Sequence, residues 1–179
     1  MRQSFKIEPA IFPRDKQAIT QLFTAYTEAL GLDLTFQDYE TEINSLPGKY
    51  APDRWGCLLV ARIDNNDTKA GMVDDRELLG CVAYRALPPS PFDADERYCE
   101  MKRLYVTPQA RGSGMGTKLV ETIIQHAKST RLYRGMRLDT LPSTYMASAR
   151  ALYKRYGFVE IEGYYETPIE STIFMELKF

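Results

Sequence analysis

A glycine-rich turn, QARGSGMG at residues 109–116, stands between an apolar segment and a strongly periodic one. The apolar segment, residues 99–106, predicts a strand. The periodic segment predicts an amphipathic helix, and its apolar face carries Met115, Leu119, Val120, Ile123, Ile124 and Ala127. Glycines let the backbone take positive φ and approach a ligand, while the start of a helix offers unpaired N–H groups. This arrangement predicts either a site for a phosphate or pyrophosphate, or simply a tight strand-to-helix turn.

The spacing of the glycines separates this turn from two known phosphate-binding patterns. A P-loop requires Gly-Lys-Ser or Gly-Lys-Thr, and neither tripeptide occurs here. A dinucleotide fingerprint requires GxGxxG in a first βα unit, whereas this chain has GxGxG late in the sequence. The spacing therefore disfavours both of those ligand classes.

Hydrophobic periodicity divides the rest of the chain into strands and helices. Further strands are predicted at residues 4–9, 55–63, 78–87, 136–141, 158–161 and 172–177. Further helices are predicted between Pro13 and Gly31, between Thr35 and Pro47-Gly48, and from Pro142-Ser143 to Gly157. The polar run 64–77 predicts a long hairpin loop. The order β-α-α-β-β-β-α-β-α-β-β, with no break in composition, predicts one α/β (α+β) domain over residues 1–179.

The strand before the glycines has an irregular apolar pattern. Met101, Leu104 and Val106 are apolar, and the step from 101 to 104 breaks the period of two. A β-bulge near Lys102-Arg103 would restore both faces of the strand and would leave backbone groups unpaired for a ligand.

Charge and cysteine content exclude several classes of protein. The chain of 179 residues has 23 Lys+Arg against 24 Asp+Glu, without a basic block, so a nucleic-acid partner is not expected. Cys57, Cys81 and Cys99 lack the spacing of a zinc site or a disulfide framework, so we expect reduced thiols and no metal. No segment has the length and apolarity of a signal peptide or a membrane span, which predicts a cytoplasmic protein without a membrane partner.

Two groups of residues resemble sequence motifs of the GCN5-related N-acetyltransferase (GNAT) superfamily. The pyrophosphate motif (Q/R)xxGx(G/A) of that family is matched by Gln109, Gly112 and Gly114, after a strand that ends in Leu-Tyr-Val-Thr-Pro. A later signature, A-x-x-LY followed by GF, is matched by Ala149, Leu152-Tyr153 and Gly157-Phe158. The chain departs from the family at Met146, where many members carry asparagine. The segments EMKRLYV, MRLDTLP and GYYETPIESTIFMEL are similar to a bacterial subgroup.

The resemblance implies a mixed, mostly antiparallel twisted sheet of about seven strands flanked by about four helices, and acetyl-CoA as co-substrate. The pyrophosphate would lie on the N–H groups of residues 111–116, and the pantetheine arm would lie along a splayed strand around residues 104–106. The implied cofactor-binding residues are Leu104, Tyr105, Val106, Gln109, Ala110, Arg111, Gly112, Ser113, Gly114, Met115, Gly116, Met146 and Ala149.

The implied reaction is direct attack of a primary amine on the thioester. Tyr153 matches the tyrosine with which the family protonates the departing thiolate, and Glu100 lies where the family often places a general base. Glu100 can equally be a salt-bridged carboxylate, with Lys102 as one partner. His126 lies far along its helix, which favours a structural role, and an acyl-cysteine route through Cys99 has no adjacent histidine to activate the thiol.

The acceptor is the least determined part of the reaction. The sequence allows a small-molecule amine or a protein amine, and a monomer or a homodimer. Tyr39, Tyr50, Trp55, Tyr164 and Tyr165 can line the acceptor pocket or belong to ordinary packing. The alternative function is a non-catalytic acyl-CoA sensor or interaction module of the same fold.

Overall fold

A computed structural model of the protein describes residues 4–31, 38–64, 77–89 and 97–179. Its strands are β1 (Phe5–Pro9), β2 (Cys57–Ile63), β3 (Leu78–Ala86), β4 (Tyr98–Val106), β5 (Gly135–Thr140), β6 (Val159–Ile161) and β7 (Ile173–Lys178). Its α-helices are α1 (Lys16–Leu30), α2 (Tyr39–Ser45), α3 (Met115–Thr130) and α4 (Ala147–Arg155). The predicted order of elements is confirmed, although Phe36 and most of the predicted loop 64–77 lie outside the described residues.

The strands form one sheet in the order β1-β2-β3-β4-β5-β7-β6. Every neighbouring pair is antiparallel except β4 and β5, which run parallel. This topology matches the mostly antiparallel sheet of about seven strands that the family resemblance implies. No helix in the described ranges is long and apolar enough to cross a membrane.

One helix boundary differs from the prediction. The sequence predicts a helix from Pro142-Ser143, whereas α4 begins at Ala147. The N–H of Met146 bonds to the carbonyl of Ser143 at 3.1 Å, and the side chain of Arg150 donates to that same carbonyl at 2.9 Å. These bonds hold residues 142–146 in tight turns before the helix starts.

Helices cover both faces of the sheet. On one face α3 packs over β2, β3 and β4, in a hydrophobic cluster that includes Cys57, Leu59 and Ala61 of β2 and Tyr153 of α4. On the other face α1 packs over β3 and β4, in a second cluster that includes Leu58 and Val60 of β2. Because alternate residues of the central strands are buried on opposite faces, these strands appear in the sequence as nearly continuous apolar runs.

The predicted bulge in β4 is confirmed. Cys81 of β3 faces Tyr105, but Ala83 faces Lys102, so β4 has one more residue than β3 across this step. The extra residue falls at Arg103, whose φ of 59° lies in the left-handed region. Met101, Leu104 and Val106 then pack in one hydrophobic cluster.

A buried ion pair holds the bulge. Arg103 donates from Nε to Oε1 of Glu42 in α2 at 2.7 Å and from Nη2 to Oε2 at 3.2 Å. Both side chains are only 2% exposed. Lys49 and the hydroxyl of Tyr50 also bind the Glu42 carboxylate. Burial alone would raise the pKa of Glu42, but hydrogen bonds and charge from Arg103 and Lys49 lower it to about 2.

We expect Glu42→Gln to lower the free energy of unfolding by about 3 kcal/mol at pH 7, because it leaves the Arg103 guanidinium buried without a charged partner. Since folding lowers the pKa of Glu42 from its ordinary 4.5 to about 2, the ion pair stabilises fully above pH 4.5 and loses its effect as pH falls toward 2. The difference in the free energy of unfolding between the wild type and Glu42→Gln, measured by urea denaturation, should therefore decrease as the pH falls from 4.5 toward 2.

Glu121→Gln is the matched control for this experiment. Glu121 forms an exposed pair with Lys118 at 2.9 Å, and such pairs contribute less than about 1 kcal/mol. Equal unfolding free energies for the two variants would show that the Glu42–Arg103 pair does not stabilise the bulge.

Candidate active site

The candidate site begins where β4 and β5 separate. Their parallel pairing ends at Glu100 and Arg137. The N–H of Thr107 donates to Leu79 in β3 at 2.9 Å, so by strand alternation the backbone N–H and carbonyl of Val106 face the opposite edge. That edge of β4 has no strand partner beyond Glu100 among the described residues, so its N–H groups are available to a ligand, whereas the carbonyl of Val106 accepts a hydrogen bond from the side chain of Arg111.

The glycine-rich turn supplies a second set of backbone donors. Gly112 and Gly114 have φ of 76° and 89°, conformations that glycine adopts without strain. A Cβ at either position would meet no atom within 4 Å, so the turn is open to a ligand. Within the described chain, no acceptor binds the N–H groups of Gly112, Ser113, Gly114, Gly116 and Thr117.

This set differs slightly from the predicted one, residues 111–116. The N–H of Arg111 bonds to the carbonyl of Pro108 at 3.3 Å, and the N–H of Met115 bonds to Oγ of Ser113 at 3.3 Å. Arg111 and Met115 therefore leave the predicted set of donors, and the N–H of Thr117 joins it. The five N–H groups that remain lie at a helix N-terminus and form a site suited to a phosphate or pyrophosphate.

A cleft of about 610 Å³ joins the open edge of β4 to the glycine-rich turn. It is lined by all the predicted cofactor residues except Gln109 and Ser113. Gln109 lies exposed in a short 3-10 turn, Pro108–Ala110. The hydroxyl of Ser113 donates to the carbonyl of Ala110 at 2.6 Å, so this side chain stabilises the turn and does not line the cleft.

Arg111 crosses the mouth of the cleft. Its Nε donates to the carbonyl of Val106 at 3.2 Å, its Nη2 donates to the hydroxyl of Tyr145 at 3.3 Å, and its guanidinium lies over the rings of Tyr105 and Tyr145. Arg111 thus places a positive charge beside the free N–H groups, where it can make a charge-assisted contact with an anion.

A smaller cavity of about 50 Å³ adjoins the cleft at the bulge, and we call it the inner cavity. The two spaces share Tyr26, Leu104 and Met146. The inner cavity takes residues from α1 on one face of the sheet and from α4 on the other, because the separation of β4 and β5 connects the faces. Met146 therefore lies at the junction.

Tyr153 lines the inner cavity. Its hydroxyl has no hydrogen-bond partner among the residues that the structure describes. Burial, together with the nearby Tyr26 and Asp139, raises the pKa of Tyr153 well above its ordinary value of 10. The phenol is therefore protonated at neutral pH and can donate a hydrogen bond or a proton to a ligand.

Glu100 lies outside both spaces. Its side chain is fully buried, and its carboxylate accepts hydrogen bonds from Nε of Arg85 at 2.7 Å and from the hydroxyl of Tyr164 at 2.7 Å. Its salt-bridge partner is thus Arg85, and Lys102 pairs with Asp139 instead. This geometry favours the structural interpretation of Glu100, and its role as general base stays a prediction.

The sequence analysis assigned no role to Asp139, which lines the inner cavity. Oδ1 of Asp139 lies 2.7 Å from Nζ of Lys102, across the gap between β5 and β4. The sequence does show an acidic residue within the segment MRLDTLP. Strand alternation alone, however, does not predict that β4 separates from β5 at this point.

The remaining candidates lie away from the cleft. Nδ1 of His126 is 3.0 Å from the hydroxyl of Tyr84, and burial lowers the pKa of His126, so the ring is neutral at pH 7. Burial raises the pKa of Cys99, which keeps its thiol protonated and unreactive. Of the five aromatic residues considered for the acceptor pocket, only Tyr165 lines the inner cavity.

Comparison with known proteins shows which family the chain belongs to. Residues 19–158 match the model of the Acetyltransferase (GNAT) family. The chain belongs to this family. It is 38% identical over 175 residues to an uncharacterized N-acetyltransferase of Schizosaccharomyces pombe, covering 98% of this chain and 95% of the relative. That relative is eukaryotic, so membership of a bacterial subgroup stays a prediction.

Solved structures share the fold. An acetyltransferase of the GNAT family from Staphylococcus aureus superposes with a TM-score of 0.72 at 18% identity, covering 98% of this chain and 99% of that one. The NatC complex bound to Gag peptide and CoA superposes with a TM-score of 0.66 at 18% identity, covering 98% and 99%.

We expect Gly114→Glu to weaken CoA binding at least 100-fold. The new carboxylate would lie among the free N–H groups and would compete with the phosphates of CoA for them. Calorimetric titration with CoA measures the effect.

Gly157→Glu is the matched control, because Gly157 has a similar φ of 92° and lines neither space. Both variants should lose about 1–2 kcal/mol of stability from the positive φ. Unchanged CoA affinity in Gly114→Glu would show that the turn is not the phosphate site.

Proposed function

We propose that this protein transfers the acetyl group of acetyl-CoA to a primary amine, carried by a small molecule or a protein, by direct attack of the amine on the thioester. The observation that carries the proposal is the hydroxyl of Tyr153, which is protonated, lacks a partner among the described residues and lines the cavity at the inner end of the cleft.

The cleft fits an elongated cofactor that carries phosphates at one end. The free N–H groups of residues 112–114, 116 and 117 would hold the pyrophosphate, with Arg111 beside them. The open edge of β4 at Leu104 and Val106 would pair with the amide groups of the pantetheine arm. Family membership supports this assignment, as does the NatC complex, a structure of the same fold that is bound to CoA.

When bound, acetyl-CoA supplies an acyl group activated as a thioester. The N–H of Val106 or Leu104 would stabilise the negative charge that develops on the carbonyl oxygen. Tyr153 would give its proton to the sulfur as the C–S bond breaks. The amine nitrogen loses a proton after the C–N bond forms, and this proton restores the phenol of Tyr153, so the charges balance.

We expect Tyr153→Phe to lower kcat by about 10²–10⁴, the usual contribution of a general acid. The affinity for acetyl-CoA should stay within twofold, because Tyr153 lines the inner cavity and not the cleft. A free-thiol release assay over a panel of amines measures turnover, and calorimetry measures affinity.

Tyr156→Phe is the matched control at the C-cap of α4, since its hydroxyl donates to the carbonyl of Thr117 at 3.4 Å and Tyr156 lines neither space. Normal turnover in Tyr153→Phe would remove the proposed proton donor. Acetyl-CoA binding by the wild type without thiol release on any amine would favour the acyl-CoA sensor over the enzyme.

A further inference from the structure

The inner cavity contains polar groups that the proposed reaction with acetyl-CoA does not use. Asp139 and Thr140 end β5 at its wall, and Lys102 reaches it from β4. Glu100 is on the same strand as Lys102 but is enclosed by Arg85 and Tyr164. Among the described residues, Asp139 is therefore the only carboxylate that lines either space.

Thr140 adds a buried hydroxyl without a partner among the described residues to this wall. Its side chain is only 3% exposed, and its Oγ1 has no hydrogen-bond partner in the described part of the chain. A buried hydroxyl without a partner costs about 1–3 kcal/mol, so such groups in folded proteins usually have a partner to bind. Thr140 lines the same cavity as Asp139, one residue along β5.

The charged groups around the cavity include one carboxylate that an amine can reach. The charge of Arg103 is already compensated by Glu42. Lys102 and Asp139 form a close pair, 2.7 Å apart. An amine bound against this pair would meet one carboxylate that can hold its nitrogen and relay a proton to solvent, and Lys102 would disfavour a second positive charge beside it.

The size and the remaining walls of the cavity limit the shape of the amine. About 50 Å³ holds three or four water-sized groups, enough for the end of a slender chain. Apart from the polar groups, the lining is aliphatic and aromatic, with Leu30, Leu141 and Ile169 beside Tyr26 and Tyr165. Methylene groups suit such walls, whereas a branch next to the nitrogen would need additional volume.

We propose that the inner cavity is the acceptor site, that it takes a primary amine at the end of an unbranched chain, and that Asp139 binds this amine and receives its proton. The inference rests on the proposed acetyl transfer and specifies its acceptor. The first proton of the ammonium group passes to Asp139 and then to solvent. The second leaves the nitrogen after the C–N bond forms, and it replaces the proton that Tyr153 gives to the thiolate.

The test compares two isomeric probes, n-butylamine and sec-butylamine, which differ only in branching next to nitrogen. With the wild type, kcat/KM for n-butylamine should be at least 10-fold higher. Asp139→Asn should lower kcat/KM for n-butylamine about 100-fold or more, the scale of a lost general base. It should also weaken n-butylamine binding to the CoA-loaded protein in calorimetry, while acetyl-CoA affinity stays within twofold and reports an intact fold.

Glu176→Gln is the matched control, because Glu176 is a largely buried carboxylate on the neighbouring β7, pairs with Arg137 at 2.9 Å and lines neither space. Its activity should stay within about twofold of the wild type. Full activity in Asp139→Asn, or a 100-fold loss confined to Glu100→Gln, would overturn the role of Asp139.

The outcomes separate this inference from the proposed function. Acetylation of sec-butylamine or other branched amines with no turnover of n-butylamine would overturn the inference and leave the proposed function standing. Acetyl-CoA binding without thiol release on any amine would overturn both.

Discussion

The left-handed turn of the backbone at Arg103 is the constraint on which the candidate site depends. A non-glycine residue at φ 59° costs about 1–2 kcal/mol, so the bulge exists only because other contacts hold it. The buried pair with Glu42 supplies that support, together with the rings of Phe23, Tyr26 and Tyr39 around the guanidinium. A helix on one face of the sheet thereby determines the course of the strand that forms the cleft.

The bulge has two consequences for the surrounding structure. It brings Leu104 and Val106 onto the same face as Met101, which completes the core under α3. It also lies just beyond the last paired residues of β4 and β5, where the strands separate and expose backbone groups. The bulge in β4 thus contributes both to the packing of the core and to the formation of the cleft and the inner cavity.

The chemistry of the site depends little on charged side chains. Backbone N–H groups at the glycine-rich turn bind an anion without a cluster of lysines, which is compatible with a formal net charge of only −1. A buried tyrosine stays protonated because burial disfavours its anion, so its hydroxyl is a hydrogen-bond donor at neutral pH. A reaction in which the substrate supplies the nucleophile needs neither His126 nor a reactive cysteine from the protein.

The sequence by itself determined the order of the elements, the bulge and the glycine-rich turn, because hydrophobic period and glycine spacing are local properties. It also indicated Tyr153, through a motif contained within one helix. The partner of Glu100 and the position of Asp139 followed only from the tertiary structure. Arg85 and Tyr164 reach Glu100 from distant parts of the chain, and Asp139 lines a cavity only because β4 and β5 diverge. Such relations depend on which strands are neighbours and where their pairing stops, which no local pattern in the chain specifies.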